Sequence, residues 1–209
     1  LTKIKQGIGL PLTVKMRTGW NNDELTIHEC VEAAYNSGCE WVAIHGRTRS
    51  QGYEGEADWD LIAEVKQRAK LPIIGNGDIR TSEQAQKLLK DSKVDAVMIG
   101  RGALTNPWIF KECIGLDKND FERPCEVLDR YHELLRDKYD LRNTLISLRK
   151  FAAWLAYGYP GAAAFRSAIY HLLTIDELIQ SFRVFFEKVT HLPQPKLESS
   201  ESFMASGHG

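Results

Sequence analysis

The sequence predicts an α/β fold in which a parallel sheet alternates with helices and is followed by an all-helical domain. Four short apolar, β-prone runs alternate with segments of helical spacing, which is typical of parallel βαβ units with right-handed crossovers. The strand-like runs stop near Phe121, and only helical segments follow. The chain has 209 residues, enough for one large domain or two small ones with a sizeable core.

The four predicted strands are nearly continuous in apolar character, as strands buried on both faces are. Each is only a few residues long and ends at a glycine or a polar residue. The predicted strands are Leu12–Met16, Trp41–His45, Leu71–Gly75 and Asp95–Ile99.

The segments between these strands place their apolar residues on one helical face. Thr81 or Ser82 is a candidate N-cap for the third of them, because both side chains can accept a hydrogen bond from the first turn. The predicted helices are Thr26–Ser37, Asp58–Ala69 and Ser82–Lys90.

The second half of the chain predicts a helical domain over residues 121–190. Pro124 suits the start of its first helix, Thr174 is a candidate cap for the last, and Gly158 and Gly161 separate the middle pair. A tail over residues 191–209, rich in Pro, Ser and Gly, is predicted to be disordered. The predicted helices are Cys125–Tyr139, Leu145–Leu155, Ala162–His171 and Ile175–Val189.

Composition excludes several classes of protein. A net charge of -1 with 43% hydrophobic and 26% charged residues is ordinary for a soluble globular protein, and it excludes a globally basic nucleic-acid coat but not a local basic patch. No apolar run approaches the roughly 20 residues that span a bilayer. The four cysteines have no CxxC pair and no zinc-ligand spacing, so we expect reduced thiols, no metal site, no membrane partner and a cytoplasmic location.

Polar residues and glycines follow each predicted strand. The carboxyl ends of parallel strands meet at one edge of a sheet, where functional groups of such folds lie. Glycine turns that present backbone N–H groups, together with the charge of Arg101, suit a phosphate. The alternative is that the glycines only form tight turns. The strand-end residues are Lys15, Arg17, His45–Arg47, Asn76–Asp78 and Gly100–Gly102.

Lys15 and His45 are candidate ligand-binding residues at this edge. Lys15 lies in an apolar strand, so its ammonium either meets an anion inside the site or extends to the rim. Considered alone, His45 is predicted to be a buried histidine with its hydrogen bonds made inside the core. Its position at the same sheet edge as Lys15 favours ligand binding instead. The loop Gly46–Asp58, which contains Tyr53, either contacts a substrate or is a solvated connection.

The predicted helical domain carries cations without acidic neighbours. Arg142, Arg149, Lys150 and Arg166 lie in a stretch, 141–175, that has no Asp or Glu and many aromatic residues. Cations with stacking platforms suit RNA. The alternative is a solvated cationic face over an aromatic core, which fits most of the aromatic residues.

Four motifs, in order and spacing, resemble those of bacterial tRNA-dihydrouridine synthases, flavin enzymes that reduce uridine in tRNA. A later segment, LRKFAAWL (Leu148–Leu155), resembles an element of that family's helical domain. The resemblance covers Leu10 to about Val189. The motifs are PLTVKMRTGW (Pro11–Trp20), IHGRTRSQGYEGEADW (Ile44–Trp59), PIIGNGDI (Pro72–Ile79) and MIGRGALTNPWIF (Met98–Phe110).

The resemblance implies the C-terminal half of a TIM (β/α)₈ barrel over residues 1–120, followed by a helical tRNA-binding domain. It implies FMN as cofactor, NADPH as electron donor and tRNA as substrate, with Lys15 at the flavin ring and His45 beside the flavin and its phosphate. The other FMN-binding residues that it implies are Asn76, Gly77, Asp78, Gly100 and Arg101. The tRNA-binding residues that it implies are Arg17, Arg47, Arg49, Arg149, Lys150 and Arg166.

One part of the family pattern is absent from this sequence. The family's acid cysteine, which protonates the uridine after hydride transfer, belongs to a motif of the N-terminal barrel half. No cysteine here follows a predicted strand, so none is assigned a catalytic role. Four strands cannot close a barrel of eight, which needs about 250 residues. We therefore expect a fragment, or a second chain or copy that covers the open sheet edges. The cysteines are Cys30, Cys39, Cys113 and Cys125.

Three functional hypotheses follow from the sequence. The first is an FMN-dependent tRNA-dihydrouridine synthase. The second is a non-catalytic RNA-binding fragment that lacks the N-terminal catalytic half. The third is another phosphate-binding flavin barrel that acts on a small molecule, against which the arginine-bearing helical domain argues. Binding of FMN and binding of tRNA distinguish the three.

Overall fold

The computed structural model describes residues 1–117, 121–193 and 195, and its contacts divide the described chain into two compact units. The first unit is Leu1–Gly102, and the second begins at Ala103. The second unit therefore includes a segment that the sequence analysis assigned to the sheet domain, whose predicted boundary is residue 120. The predicted tail, 191–209, lies outside the described residues except for 191–193 and 195.

The first unit contains a four-stranded, wholly parallel sheet in the order β1-β2-β3-β4, with a helix between successive strands. This confirms the predicted α/β alternation; closure into a barrel stays a prediction. The elements are α1 (Thr2–Gly7), β1 (Thr13–Arg17), α2 (Ile27–Asn36), β2 (Trp41–His45), α3 (Trp59–Arg68), β3 (Ile73–Asn76), α4 (Ser82–Ser92) and β4 (Ala96–Met98).

The strand register separates the sheet into an apolar face and a mixed face, whose polar residues gather toward the carboxyl ends of the strands. One row at the carboxyl ends holds Arg17, His45, Asn76 and Met98 side by side. Lys15 points to the same face, because side chains alternate along a strand. The opposite face packs against α2 and α3 and forms the core. The buried residues of that core include Ile27, Val31, Val42, Ile44, Ile62, Val65 and Ile73.

Side-chain caps begin the helices directly after the strand-end loops. Thr81 begins α4 with a capping box, in which its hydroxyl accepts from the Gln84 N–H and the Gln84 side chain accepts from the Thr81 N–H. Asp58 begins α3 by accepting a hydrogen bond of 2.8 Å from the Leu61 N–H. These contacts satisfy first-turn donors that have no partner inside the helix, and they anchor the ends of both loops.

The second unit is helical over the residues that the structure describes. Phe182 is fully buried at its centre, 4.5 Å in ring centroid distance from Phe186, and Phe165 and Phe185 stack at 4.6 Å. The four predicted helices are confirmed, and Thr174 caps the last. The helices are α5 (Gly102–Thr105), which begins at the last residue of the first unit, α6 (Ile109–Cys113), α7 (Pro124–Arg136), α8 (Leu141–Leu155), α9 (Ala162–Ile169) and α10 (Ile175–Val189).

Two short helices, α1 and α6, are absent from the sequence prediction, whereas a helical stretch is predicted after Gly102, where α5 begins. A helix of one or two turns contains too few residues for an apolar periodicity to be recognised. None of the helices within the described ranges is long and apolar enough to cross a membrane.

Candidate functional site

The carboxyl ends of the strands in the first unit enclose a cavity of about 180 Å³. Its walls come from the ends of β1, β2 and β3, the loops that follow β2 and β3, and the segment after β4. The cavity brings together all seven residues that the sequence analysis assigned to cofactor binding: Lys15, His45, Asn76, Gly77, Asp78, Gly100 and Arg101. The remaining lining residues are Arg17, Tyr53, Ile79, Arg80, Met98 and Gly102.

An ion pair between a buried arginine and a partly buried aspartate joins the two loops beside this cavity. Both terminal nitrogens of Arg47 donate to the Asp78 carboxylate at 2.8 Å, in a bidentate arrangement. The Ala57 N–H donates to the same carboxylate at 2.8 Å, and Arg47 itself is 1% exposed. Bidentate, charge-assisted pairs of this kind set orientation as well as energy. The pair therefore holds the loop after β3 against the loop after β2.

Gly77 allows the loop after β3 to follow its path. Its φ is +140°, and a Cβ there would lie 2.4 Å from the Ala57 Cβ. The Trp59 indole N–H donates to the Gly77 carbonyl at 3.1 Å. Since a trans peptide points its C=O and the next N–H in opposite directions, the Asp78 N–H points away from that indole. A side chain at position 77 would disturb this peptide.

Two guanidinium groups lie near the Tyr53 ring at the cavity. The Arg101 guanidinium carbon is 4.3 Å from the Tyr53 ring centroid, and that of Arg17 is 5.8 Å away. Arg17 also donates to the carbonyls of Thr48 and Gly52 at 2.7 and 2.8 Å. The loop after β2 thus contacts the cavity through an aromatic ring that supports Arg101 by a cation–π interaction.

The electrostatics of the cavity favour an anion. Burial, together with the charges of Arg17, Lys15 and Arg47, lowers the pKa of His45 to about 4, so its imidazole is neutral near pH 7. Burial acts to raise the pKa of Asp78, but hydrogen bonds from Arg47 and Ala57 and the Arg47 charge outweigh it and lower that pKa. Asp78 is the one acidic residue among the described residues that line the cavity, and it is ion-paired.

Comparison with known proteins identifies the family. A sequence model described as dihydrouridine synthase (Dus) matches residues 1–190. The chain belongs to the dihydrouridine synthase family. The match confirms the resemblance that the strand-end motifs predict.

Curated members of the dihydrouridine synthase family share about a third of their residues with this chain. It is 34% identical to tRNA-dihydrouridine synthase B of Pasteurella multocida (strain Pm70), over 90% of this chain and 59% of that protein. It is also 34% identical to the probable tRNA-dihydrouridine synthase of Rickettsia conorii, over 85% of this chain and 56% of that protein. The chain therefore spans less than two thirds of the length of these relatives.

Solved structures give only weak likenesses. A mandelate oxidase mutant with a monooxide FMN adduct has a TM-score of 0.36 and 16% identity, over 90% of this chain and 61% of that one. Nitroalkane oxidase from Streptomyces ansochromogenes has a TM-score of 0.34 and 18% identity, over 50% of this chain and 37% of that one. Scores of this size support no conclusion about the dihydrouridine synthase chain.

The arginines of the first unit that were predicted to face tRNA differ in exposure. Arg49 is exposed. Arg17 is partly buried and bonded to loop carbonyls. Arg47 is buried, and this corrects the prediction that it faces tRNA, because its guanidinium is bound to Asp78 and to loop carbonyls. The sequence shows the charge of an arginine but not which partner it meets.

The three cations predicted in the helical unit also differ. Lys150 is exposed, and Arg166 is partly buried with its guanidinium 5.5 Å from the Tyr157 ring centroid. Arg149 donates to the Leu172 carbonyl, and its Nε is buried without a partner among the described residues. Arg149 thus ties α8 to the segment before α10.

Two contributors to the site were missed in the sequence analysis. Trp59 fixes the Gly77 carbonyl, and Arg80 lines the cavity. The available signal for Trp59 was its position. A tryptophan at the first residue of a helix after a strand-end loop can donate its N–H to a loop carbonyl. The cysteines lie elsewhere: Cys30 on α2, Cys39 before β2, Cys113 on α6 and Cys125 on α7.

Proposed function

We propose that this chain forms the cofactor-phosphate and RNA-binding part of a tRNA-dihydrouridine synthase, which reduces uridine in tRNA with FMN as cofactor and NADPH as electron donor. Membership of the family and the names of the curated relatives support this activity. The observation that carries the proposal is the cationic cavity at the strand ends, where the one lining carboxylate of the described residues is neutralised by a buried arginine.

The lining residues fit the phosphate end of FMN. Lys15, Arg17, Arg80 and Arg101 supply positive charge around a volume of about 180 Å³. That volume is below the roughly 300–1,000 Å³ typical of sites for whole ligands. We therefore assign to this cavity the phosphate and part of the ribityl chain, and we expect further groups beyond the described residues to enclose the ring.

Each lining residue has a proposed role toward the cofactor. When bound, FMN supplies hydride-transfer chemistry. Arg101 and the backbone at Gly77 and Gly100 would hold the phosphate, since a Cβ at Gly100 meets nothing within 4 Å and the backbone there is open to a ligand. Lys15 would hold a negatively polarised edge of the ring. Neutral His45 would contribute a hydrogen bond without adding charge.

Three cationic side chains outside the cavity are proposed to bind tRNA. Arg49 in the first unit and Lys150 and Arg166 in the second carry charge that can neutralise backbone phosphates. The uridine must leave its stack to reach a flavin, so these contacts would position the RNA rather than select the base. We assign no general acid to this chain, because no cysteine among the described residues follows a strand.

We further propose that the four strands are half of a (β/α)₈ barrel. Parallel sheets are normally covered on both faces, whereas α2 and α3 cover one face here and Lys15 on the other face is exposed. The complementary strands would come from a further polypeptide segment or from a second chain. They would also enclose the flavin ring.

The decisive experiment measures FMN and tRNA binding separately on the 209-residue chain. FMN binding is followed by quenching of flavin fluorescence, and tRNA binding by gel shift. We expect Arg101→Gln to weaken FMN binding about tenfold with little effect on tRNA. The matched variant Lys150→Gln should weaken tRNA binding and leave FMN affinity unchanged. NADPH oxidation by the FMN-loaded chain tests the electron donor.

Other outcomes would redirect the proposal. Binding of tRNA without FMN would favour a non-catalytic RNA-binding protein. Binding of FMN without tRNA would favour a flavin enzyme that acts on a small molecule. If neither ligand bound, the proposed function would be wrong for this chain.

A further inference from the structure

We propose that Arg47 masks the charge of Asp78, so that an anion can occupy the strand-end cavity without repulsion from the carboxylate in its wall. This inference rests on the proposed function for the identity of the anion, the phosphate of FMN. It assigns to Arg47 a positioning and charge-neutralising role toward Asp78 rather than a direct contact with ligand or RNA.

A carboxylate in the wall of an anion cavity requires an explanation. Asp78 lines the cavity, and a second anion within a few ångströms would be strongly repelled in a partly buried setting. Asp78 is also held in place. Its φ is +52°, and its carboxylate accepts the Ala57 N–H at 2.8 Å. The loop therefore keeps this negative charge at the cavity, and the charge must be neutralised for an anion to bind.

Arg47 is placed to neutralise Asp78 rather than a ligand. A guanidinium has five N–H donors. Two donate to the Asp78 carboxylate at 2.8 Å, and two others donate to the carbonyls of Glu54 at 3.1 Å and Gly55 at 2.6 Å. The fifth faces Nε2 of His45 at 3.5 Å, which acts as acceptor because arginine only donates. All donors are used, so Arg47 has none for a ligand.

Arg101 provides the contrast within the same cavity. Its nearest terminal nitrogen is 3.8 Å from the Asp78 carboxylate, beyond hydrogen-bond distance, and its guanidinium lies over Tyr53. The Arg101 side chain is 30% exposed. Arg47 thus holds Asp78 in a bidentate pair and leaves Arg101 for the ligand. Without Arg47, we expect Arg101 to move onto Asp78, so that the ligand loses its cationic partner.

The test is a double-mutant cycle on Arg47 and Asp78, measured on the full chain. The variants are Arg47→Met, which keeps length without charge, Asp78→Asn, and the two combined. Each is titrated with FMN, with riboflavin, which lacks the phosphate, and with inorganic phosphate. Circular dichroism records whether each variant is folded. Arg47→Lys is a further variant at the same position. It keeps the positive charge but cannot form the bidentate pair.

The expected pattern separates charge masking from a general structural role. Arg47→Met should weaken FMN and phosphate binding by about tenfold or more and change riboflavin binding by less than about threefold. Adding Asp78→Asn should restore most of the lost FMN affinity, because no carboxylate then remains to mask. Arg47→Lys should lie between the wild type and Arg47→Met. If Arg47→Met does not fold, the comparison of Arg47→Lys with Arg47→Lys/Asp78→Asn replaces it.

Three results would overturn the inference. An equal loss of FMN and riboflavin affinity would give Arg47 a structural role only. A double variant as weak as Arg47→Met would mean that the Asp78 charge is not what Arg47 controls. A wild-type chain that binds neither FMN nor inorganic phosphate would have no anion site to protect. Binding of inorganic phosphate without FMN, with the expected rescue, would support the masking while contradicting the proposed cofactor.

Discussion

The loops at the strand ends and the core of the helical unit are ordered by different forces. In the loops, the Arg47–Asp78 ion pair and the Trp59 to Gly77 hydrogen bond hold neighbouring segments together. In the helical unit, Phe182 packs against its aromatic neighbours Phe165 and Phe186. The first arrangement depends on charge and on backbone conformation, and the second depends on buried volume.

Substitutions in the loops should therefore change ligand binding, whereas substitutions in the aromatic core should change only stability. A polar network beside a cavity controls which charges a ligand meets. A donor or acceptor that loses its partner in the network becomes available to the ligand. An aromatic core controls the free energy of unfolding, because its contribution scales with the apolar area that it buries. Substitutions in each region therefore test the comparison.

The largest expected effect is the loss of a core phenylalanine in the second unit. Phe182 is fully buried, so Phe182→Ala should lower the free energy of unfolding by about 3–5 kcal/mol, through lost burial and a cavity. Thermal unfolding followed by circular dichroism measures this. The matched control is Phe110→Ala in the same unit, where 53% of the residue is exposed and the loss should be below about 1 kcal/mol. Equal losses would contradict a volume-dependent core.

A smaller effect is expected from a methyl group in the loop after β3. Gly77→Ala introduces a Cβ 2.4 Å from the Ala57 Cβ at a φ of +140°, and it should lower the free energy of unfolding by about 1–3 kcal/mol. It should also weaken FMN binding, because the Asp78 peptide moves. For stability alone, the matched control is Gly100→Ala, whose Cβ would meet no described residue within 4 Å. Urea unfolding and FMN titration measure both effects.

For the two glycine variants, the free energy of unfolding and the FMN affinity must be read together. A Gly77→Ala variant that kept full stability would show that the loop is more adaptable than its contacts indicate. If Gly100→Ala lost FMN affinity while it kept stability, close approach of the phosphate at position 100 would be supported.

Much of the first unit could be predicted because its signals are local. Short apolar runs located the strands to within about two residues, and parallel topology placed their carboxyl ends at one edge. The clustering of Lys15, His45, Asn76 and Arg101 follows from that topology alone. Thr81 and Thr174 also fulfil their predicted capping roles, since a cap depends only on the residues of the next turn.

The features that could not be predicted depend on contacts between distant residues. Arg47 and Asp78 are 31 residues apart, and neither their pairing nor the burial of Arg47 follows from composition or periodicity. The same limit applies to Arg149, whose partner is the Leu172 carbonyl. An arginine at a strand end is an RNA contact, a ligand contact or an ion pair according to which loop folds over it.

The smallest expected effect concerns pH and the neutral state of His45. Its pKa falls to about 4 in the folded chain, mainly through burial, whereas an unfolded histidine titrates near 6.5. Below about pH 6.5 the unfolded chain therefore binds a proton that the folded chain does not. The resulting stability is fully present above that pH and is lost as the pH falls toward about 4.

Between about pH 7 and about pH 5.5, we expect His45 to account for a loss of about 1 kcal/mol in the free energy of unfolding. Urea unfolding at both pH values measures it, and His45→Gln should reduce the slope. His28→Gln, on the outer helix α2, is the matched control for the removal of one histidine. If His45→Gln kept the wild-type slope, the imidazole would not be held neutral by its burial and the arginines around it. The strand-end network would then control which charges a ligand meets without contributing to stability. The two regions would differ even more clearly, because the aromatic core contributes to stability alone.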